Sequence, residues 1–518
     1  MARRLYPVNL WPGRVAVALV AVISLGTLVA VALRAEGVGA FTRYDWLALR
    51  FTLVQASLSA ALSVGFAIPV ARALARRRFP GRHLLITLLG APFILPVIVA
   101  ILGLIAVFGR KGILSQLLIF AGLEPVSIYG FHGVIIAHVF FNLPLATRLI
   151  LQGWLSIPAE RFRLAASLGF GPGDIARVLE RPMLRQVLPG AFLVIFIICL
   201  TSFAVALALG GGPKATTVEL AIYQAFRFDF DLGKAALLAL MQVVIAGGAA
   251  LVALRVSLPA ELGTGLDRAI QRWDAATPLL RLQDAVLIAL AALFLLTPLS
   301  MIAIRGAAGL ADLPVSIIGA SLRSLIVSLG TAGLTIALAL PIAGLAVLRR
   351  SHLVEAIGTL TIAASPLVMG TGLYILLFPI ANPTALALPV TALVNATMAL
   401  PFALRAILPV LSGIETDFGR LADELGMRGL ARIRHLWLPR LRRPLGFTAG
   451  LAAALSMGDL GVITLFGTPE GGTLPLFLYR LMTAYRMDAA MSASMILLAL
   501  SLGLFWMFDR GGRIDADT

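Results

Sequence analysis

Chemistry has few footholds in this 518-residue sequence, and the sharpest is a carboxylate in an oily run, Asp459 of "SMGDLGVITLFG". A charged side chain at the centre of a membrane span costs about 2.5–3.5 kcal/mol on insertion scales, so one retained there needs a partner. That partner is either a cation in transit or an arginine from a helix end, Arg148 or Arg405. His138 and Asn142 in "AHVFFNLPLATRL" and Asn395 in "LVNATMALP" are polar groups in similar surroundings. Such groups face the interior of a helix bundle, where they bond a neighbouring helix or line a pathway. His138, Asn142, Asn395 and Asp459 are the candidate pathway residues. Catalysis finds no comparable set. The histidines at 83, 132, 138, 352 and 435 never reach metal-ligand spacing, and the single cysteine, Cys199, excludes an internal disulfide, a Cys-based zinc site and an iron–sulfur cluster. "GGGPK" at 210–214 lacks the phosphate-loop pattern, which occurs nowhere in the chain. No catalytic residue, metal or cofactor is expected, and ATP hydrolysis is not expected of this chain.

The elements that must position these groups are membrane helices. Sixty per cent hydrophobic residues, 13% charged residues and a mean hydropathy of +0.97 cannot make one water-soluble core, since soluble domains carry about 25% charged residues. Apolar runs of spanning length lie near 15–33, 51–75, 84–108, 131–151, 188–209, 235–254, 284–304, 322–348, 353–379, 386–410, 445–466 and 489–508. The first, behind "MARRLYPVNLWPGR", reads as a retained helix, and "ILSQLLIF" at 113–120 as a re-entrant or surface helix. The net charge of +17 reflects arginine in loops and implies no nucleic-acid partner, because no basic stretch is interleaved with stacking aromatics. Arg72, Arg76, Arg77, Arg78 and Arg82 stand without an acid, whereas 210–234 mixes Lys214, Arg227 and Lys234 with Glu219, Asp229 and Asp231. The positive-inside rule then puts both termini in the cytoplasm. The expected fold is an all-α membrane protein of about 12 transmembrane helices in two homologous six-helix halves, 1–258 and 284–518, joined by a cytoplasmic linker at 259–283.

The halves are visible as a repeat. Laying 140–188 over 397–445 without a gap gives 18 identities in 49 positions, including Pro144 with Pro401, Arg148 with Arg405, Gly169 with Gly426 and Pro182 with Pro439. The copies lie six helices apart and so run parallel. The same register lays Gly210 over Gly467, Thr216 over Thr473 and Ser202 over Asp459. The paired glycine breaks suggest an outer gate or docking rim. The best-matched stretches are the charged interruptions "RLAASLGFGPGDIARVLERP" (163–182) and "RLADELGMRGLARIRHLWLP" (420–439). In each, a polar helical turn ends at Gly169 or Gly426, suited to a left-handed cap. A short second helix follows, with Asp174 its expected N-cap in the first copy. Its apolar face is Ile175, Val178 and Leu179, or Ile433, Leu436 and Trp437. A lone basic amphipathic segment would rest on headgroups; duplication at fixed register points instead to a protein that reads it twice.

The pattern resembles the cytoplasmic loop of binding-protein-dependent ABC importer permeases, written E-A-A, three residues, Gly, nine residues, Ile, any residue, Leu-Pro. Counting from the glycines puts Arg163, Leu164 and Ala165, then Gly169, Leu179 and Pro182, on that pattern in the first loop, with Ile175 on its helix face. The second loop supplies Arg420, Leu421, Ala422, Gly426, Leu436 and Pro439, with Ile433. Arginine replaces the pattern's glutamate in both. The resemblance implies a type I ABC importer permease fold in which each loop sits in a groove of one cytoplasmic ATPase subunit, so that one chain binds two ATPase copies. "RRRFPGR" at 76–82, "LGGGPKATTVELAIYQA" at 209–225 and "TLPLFLYR" at 473–480 are similar to the fused permeases of bacterial thiamine and thiamine-phosphate importers. That likeness implies alternating-access import of thiamine or its phosphates, an extracytoplasmic thiamine-binding protein as partner, and a multi-pass place among the lipids of the inner membrane. The alternative within the class is a ferric-iron importer permease; a more distant one is an ion-coupled secondary transporter, which would need more than one intramembrane ionisable residue as a relay.

Overall fold

The computed structural model describes residues 8–35, 37, 41–90, 94–210, 212, 215–255, 272, 274, 276–351, 354, 365–468 and 471–513. All regular structure among them is helical. The first part comprises α1 (Trp11–Arg34), α2 (Arg43–Arg76), α3 (Arg82–Leu88), α4 (Val97–Phe108), α5 (Ile113–Phe120), α6 (Phe131–Leu155), α7 (Ala159–Ser167), α8 (Pro172–Ile175), α9 (Arg181–Leu200), α10 (Ala204–Leu209), α11 (Val218–Arg227) and α12 (Leu232–Leu254). The second comprises α13 (Pro278–Ala308), α14 (Ser316–Arg349), α15 (Pro366–Leu377), α16 (Ala387–Glu424), α17 (Leu430–Arg432), α18 (Leu438–Met457), α19 (Gly461–Phe466), α20 (Leu474–Thr483) and α21 (Met487–Arg513). Among the described residues, eleven helical segments are long and apolar enough to cross a membrane. The protein is an all-α, multi-span membrane protein.

Two expected spans and the expected re-entrant or surface helix differ in detail. The run at 84–108 is not one helix: α3 ends at Leu88 and α4 starts behind Pro96, whose missing N–H suits a helix start. The segment at 113–120 forms α5, which extends α4 beyond the Gly109–Gly112 break. The expected ninth span, 353–379, falls partly on 353 and 355–364, outside the described residues, and its described part is the twelve-residue α15. Of the expected linker 259–283, residues 259–271, 273 and 275 lie outside the described residues, while α13 already begins at Pro278.

Helix starts follow local chemistry. The Asp45 carboxylate accepts both the backbone N–H and the hydroxyl of Thr42 at 2.7 Å, opening α2, and Thr217, Asp231 and Ser365 cap α11, α12 and α15 through side-chain oxygens. The packing is duplicated. α2 packs on α6 and α9, and α14 packs in the same way on α16 and α18. The first helix of each set leans on the other set: α1 on α14 and α15, α13 on α2 and α4. Glycines permit both crossings, since a Cβ at Gly103 would lie 2.7 Å from the Pro298 carbonyl oxygen and one at Gly372 would lie 2.6 Å from the Thr27 backbone. Small residues that let backbones approach replace the hydrophobic effect as the driving force between helices in lipid.

Candidate functional site

The two interrupted segments fold alike, residue for residue. Gly169 and Gly426 take φ of +69° and +66°. In the first loop the Phe170 amide donates to Ala165 O at 3.0 Å and the Gly169 amide to Ala166 O at 3.0 Å; in the second, Met427 donates to Ala422 O at 2.8 Å and Gly426 to Asp423 O at 3.1 Å. This is the left-handed helix end that glycine makes without strain. Each loop then passes through one π turn, Ala176–Glu180 and Ile433–Trp437, 257 positions apart, and enters α9 or α18. π turns concentrate at functional places because they are poor in stability terms. Asp174 is not the N-cap: Gly171 is, and the Asp174 carboxylate accepts from its amide at 3.1 Å.

Within these loops the sequence-derived residues divide into anchors and faces. Ala165, Ile175, Ala422 and Leu436 are buried, Leu179 and Ile433 half-buried, and Arg163, Leu164, Gly169, Pro182, Arg420, Leu421, Gly426 and Pro439 exposed. The apolar face of the short helix is therefore an anchor, turned inward at Ile175, Leu436 and Trp437, with Val178 left outside. What the loops present is a leucine pair one helical turn apart: Leu164 and Leu168 are 61% and 61% exposed, Leu421 and Leu425 52% and 63%. The exposed pair thus recurs at the same register in both loops. Leu168 and Leu425 escaped the sequence reading, although leucine at i and i+4 in both copies was the available signal.

The anchoring chemistry of the loops is inverted. In the second, the guanidinium of Arg432, 1% exposed, donates to both Glu415 oxygens at 3.1 and 2.6 Å and to Asp423 at 2.5 Å. The Trp437 indole donates to Glu415 at 2.6 Å. In the first, the loop supplies the acid. Glu180 accepts from Arg72 at 2.6 Å and from Arg272 at 2.8 Å, and Arg272 also grips Asp274 at 2.8 and 2.6 Å and lies 5.0 Å from the Phe162 ring centroid. Burial opposes ionisation of Asp274, yet the Arg272 guanidinium outweighs it and holds the carboxyl below its ordinary value. The sequence explains the inversion. Pro158 stands where the second copy has Glu415, so α6 and α7 are separate where α16 runs unbroken for 38 residues. None of Glu180, Arg272, Glu415 and Arg432 was singled out from sequence, because apart from the neighbouring Asp274 their ionic partners lie 9 to 108 positions away.

Three of the four pathway candidates serve as joints. The His138 ring nitrogen lies 3.4 Å from Ser59 Oγ, and Asn142 donates to His138 O at 2.8 Å and contacts Cys199 Sγ at 3.3 Å. Asn395 donates to Ser456 Oγ at 3.1 Å, which is 2.9 Å from Thr331 Oγ1. His138 and Asn395 are 257 apart, as are Cys199 and Ser456, so the same three-helix joint is built twice. Asp459 has no ion pair with Arg148 or Arg405; its Oδ1 accepts the Gly461 amide at 3.1 Å at the start of α19, and its Oδ2 is unbonded. His138 and Asn142 stand in the first set of helices; Asn395 and Asp459, whose side chains adjoin, stand in the second.

A seam between the two sets of helices carries what the sequence did not reveal. α9 is 20 residues long, about 30 Å at 1.5 Å per residue, and at its far end α11 meets α15. Phe226 packs edge-on against Tyr374 at 4.5 Å, Tyr374 contacts Phe466 at 5.5 Å, and Tyr223 contacts Phe203 at 5.3 Å. Two turns before Phe226 stands Glu219, wholly buried, with neither oxygen hydrogen-bonded and the Ser365 and Gln242 side chains beside it. The expected overlay slips here by one residue: Thr217, not Thr216, matches Thr473 at the helix start. The α11 and α20 starts are then held alike, the Val218 amide by Thr52 Oγ1 at 2.9 Å and the Leu474 amide by Ser324 Oγ at 2.7 Å. In this register Glu219 faces Pro475, so the carboxylate occurs once.

No protein-family model matches the chain. It is 37% identical over 513 residues to the thiamine transport system permease protein ThiP of Brucella abortus, covering 96% of this chain and 94% of that protein. It is 38% identical to the protein of the same name from Salmonella typhimurium, covering 98% and 97%, and 39% identical to that of Escherichia coli, covering 92% and 91%. A shorter match, 28% over 202 residues, joins 38% of the chain to 72% of the sulfate transport system permease protein CysW of Synechocystis. With a duplicated packing, a duplicated loop and similarity over nearly the whole chain, the chain belongs to the family of thiamine transport system permease proteins.

Proposed function

We propose that this chain is the permease of a binding-protein-dependent ABC importer, moving thiamine or its phosphates across the bacterial cytoplasmic membrane by alternating access. The observation that carries the reading is the duplicated loop: two left-handed glycines, two π turns and two exposed leucine pairs in one register. Two like surfaces on one chain suit two copies of one cytoplasmic ATPase. In this reading the arginine-rich loop end is cytoplasmic, as are both termini. The halves 1–258 and 284–518 act as the two permease units, with 259–283 their linker. Closure of the ATPase pair moves the loops, the anchors at Glu180 and Arg432 pass that motion to α9 and α18, and the aromatic seam at the other end opens.

Cargo chemistry fits the seam. Thiamine carries a fixed cation on an aromatic ring, and Glu219 is a buried carboxylate on the helix that also carries Tyr223 and, two turns on, Phe226. Aromatic faces and a carboxylate are what such a cation pairs with once the seam parts. Because that seam is closed and offers one carboxylate, high affinity belongs to an extracytoplasmic binding protein. The test of the loop assignment is the mass of the purified complex. One chain with two ATPase copies is expected, one copy after Leu164→Asp with Leu168→Asp, and none when Leu421→Asp and Leu425→Asp are added. Two copies retained by the fourfold variant would refute it.

A further inference from the structure

Beside the first loop lies a cavity of about 660 Å³ that importing thiamine does not use. Its polar wall is arginine, with Arg76, Arg77 and Arg78 from the end of α2, Arg281 from α13 and Arg272 between them. Its other wall is Ala285, Ile288 and Ala289, spaced i, i+3 and i+4 on one face of α13. Most of α13 is not covered by protein, since only 22% of its apolar window is buried.

Arg72, Arg76 and Arg77 each keep one buried donor without an acceptor among the described residues. Glu180, Asp274 and Asp284 are the carboxylates seen among Arg72, Arg76, Arg77 and Arg272: Arg77 donates to Asp284 at 2.7 Å, while Arg76 lies 3.8 Å from Glu180 and 3.9 Å from Asp284. With Arg281 on the rim, five guanidiniums surround three carboxylates among the described residues. Nε of Arg72, Nε of Arg76 and Nη2 of Arg77 are buried donors with no acceptor, and Arg76 is only 7% exposed. A buried charged donor left unmade is costly and calls for a missing acceptor. A group with several anionic oxygens at this spot would supply it, because guanidinium forks match phosphate geometry.

We propose that this cavity binds a phosphate-bearing anion, and that the anion is the headgroup of an acidic phospholipid whose chains lie along Ala285, Ile288 and Ala289. A free phosphate would meet the arginines equally well but would have no use for the apolar wall. The basic end of a helix bundle beside exposed apolar helix is where acidic headgroups collect. The lipid would also brace the first loop, because Arg76 and Arg272 contact both the cavity and Glu180.

The test uses the full chain, delipidated in detergent and titrated with phosphatidylglycerol, phosphatidylcholine and inorganic phosphate under native mass spectrometry. Phosphatidylglycerol should be retained at least about tenfold better than phosphatidylcholine, and Arg281→Gln should erase about tenfold of that retention, the scale of one charge-assisted bond. Ala289→Trp, which fills the apolar wall and leaves the arginines in place, should weaken the lipid alone. Equal retention of the two lipids would overturn the proposal. So would phosphatidylglycerol retention unmoved by Ala289→Trp while inorganic phosphate displaces it, which would mark a free-phosphate site.

Discussion

Replacing Arg432 by alanine should loosen the second loop and leave the first intact. The Arg432 side chain is 1% exposed and that of Glu415 12%, so their bidentate bond is a buried ion pair. Breaking such a pair by removing one member costs about 3–5 kcal/mol, chiefly because the surviving charge is stranded. The Asp423 arm adds little, since that carboxylate is 63% exposed and an exposed pair is worth about 0–1 kcal/mol. Taking about 3 kcal/mol, the population of the opened loop rises by roughly 150-fold. Hydrogen exchange reads this directly, as opening free energies differ from segment to segment. Amides of 430–437 should lose about two orders of magnitude of protection, while those of 173–180, held by Glu180 and Arg272, serve as the internal control. Arg432→Met combined with Glu415→Gln should regain most of the loss, because removing both charges strands neither. Unchanged protection at 430–437, or equal loss in both loops, would refute the anchoring argument.

Other consequences follow from the same geometry. Gly169→Val or Gly426→Val places a β-branched residue at φ near +69° or +66°, at about 1–2 kcal/mol of backbone strain, and should weaken ATPase association in pull-down with normal membrane insertion. Glu219→Gln should lower thiamine uptake at least about tenfold if the carboxylate meets the cargo's cation, without changing the ATPase copies bound; unchanged uptake would remove Glu219 from the route. Single cysteines at Gly171 and Arg428 in a Cys199→Ser background should react only with reagents on the cytoplasmic face. Labelling from outside would invert the orientation. Asp274 is held ionised by Arg272, its acid strength raised on folding, so its contribution is present above the ordinary aspartate range and fades as pH falls below it. Asp274→Asn should reduce that acid-side loss of protection around 173–180, leaving the part due to Glu180.

The helices were legible because apolar length alone specifies a span, and the loops because proline, glycine and arginine recurred at one offset of 257. What periodicity hides is chemistry assembled from distant segments. Arg432 reads in sequence as one more basic residue of "RIRHLW", yet it is the most buried cation of its loop. Glu219 looked like a balancing acid in an outer loop, yet it is a buried carboxylate with the Ser365 and Gln242 side chains beside it, on a helix whose aromatics meet α15. The helix breaks were misread for a similar reason. Hydropathy averages over 89–90, 94–96 and 201–203, where the backbone leaves the helix, and so could not separate α3 from α4 or α10 from α9. Asp459 did attract attention correctly as a costly carboxylate, but its nearest partner proved to be the amide of Gly461.

Radiolabelled thiamine uptake into lipid vesicles holding the purified chain with its ATPase tests the account most directly. The account predicts uptake only when ATP is on the loop side and a thiamine-binding protein is on the other, with none for ferric iron presented by its own binding protein. Iron uptake without thiamine uptake, or thiamine uptake that needs no ATP, would contradict it.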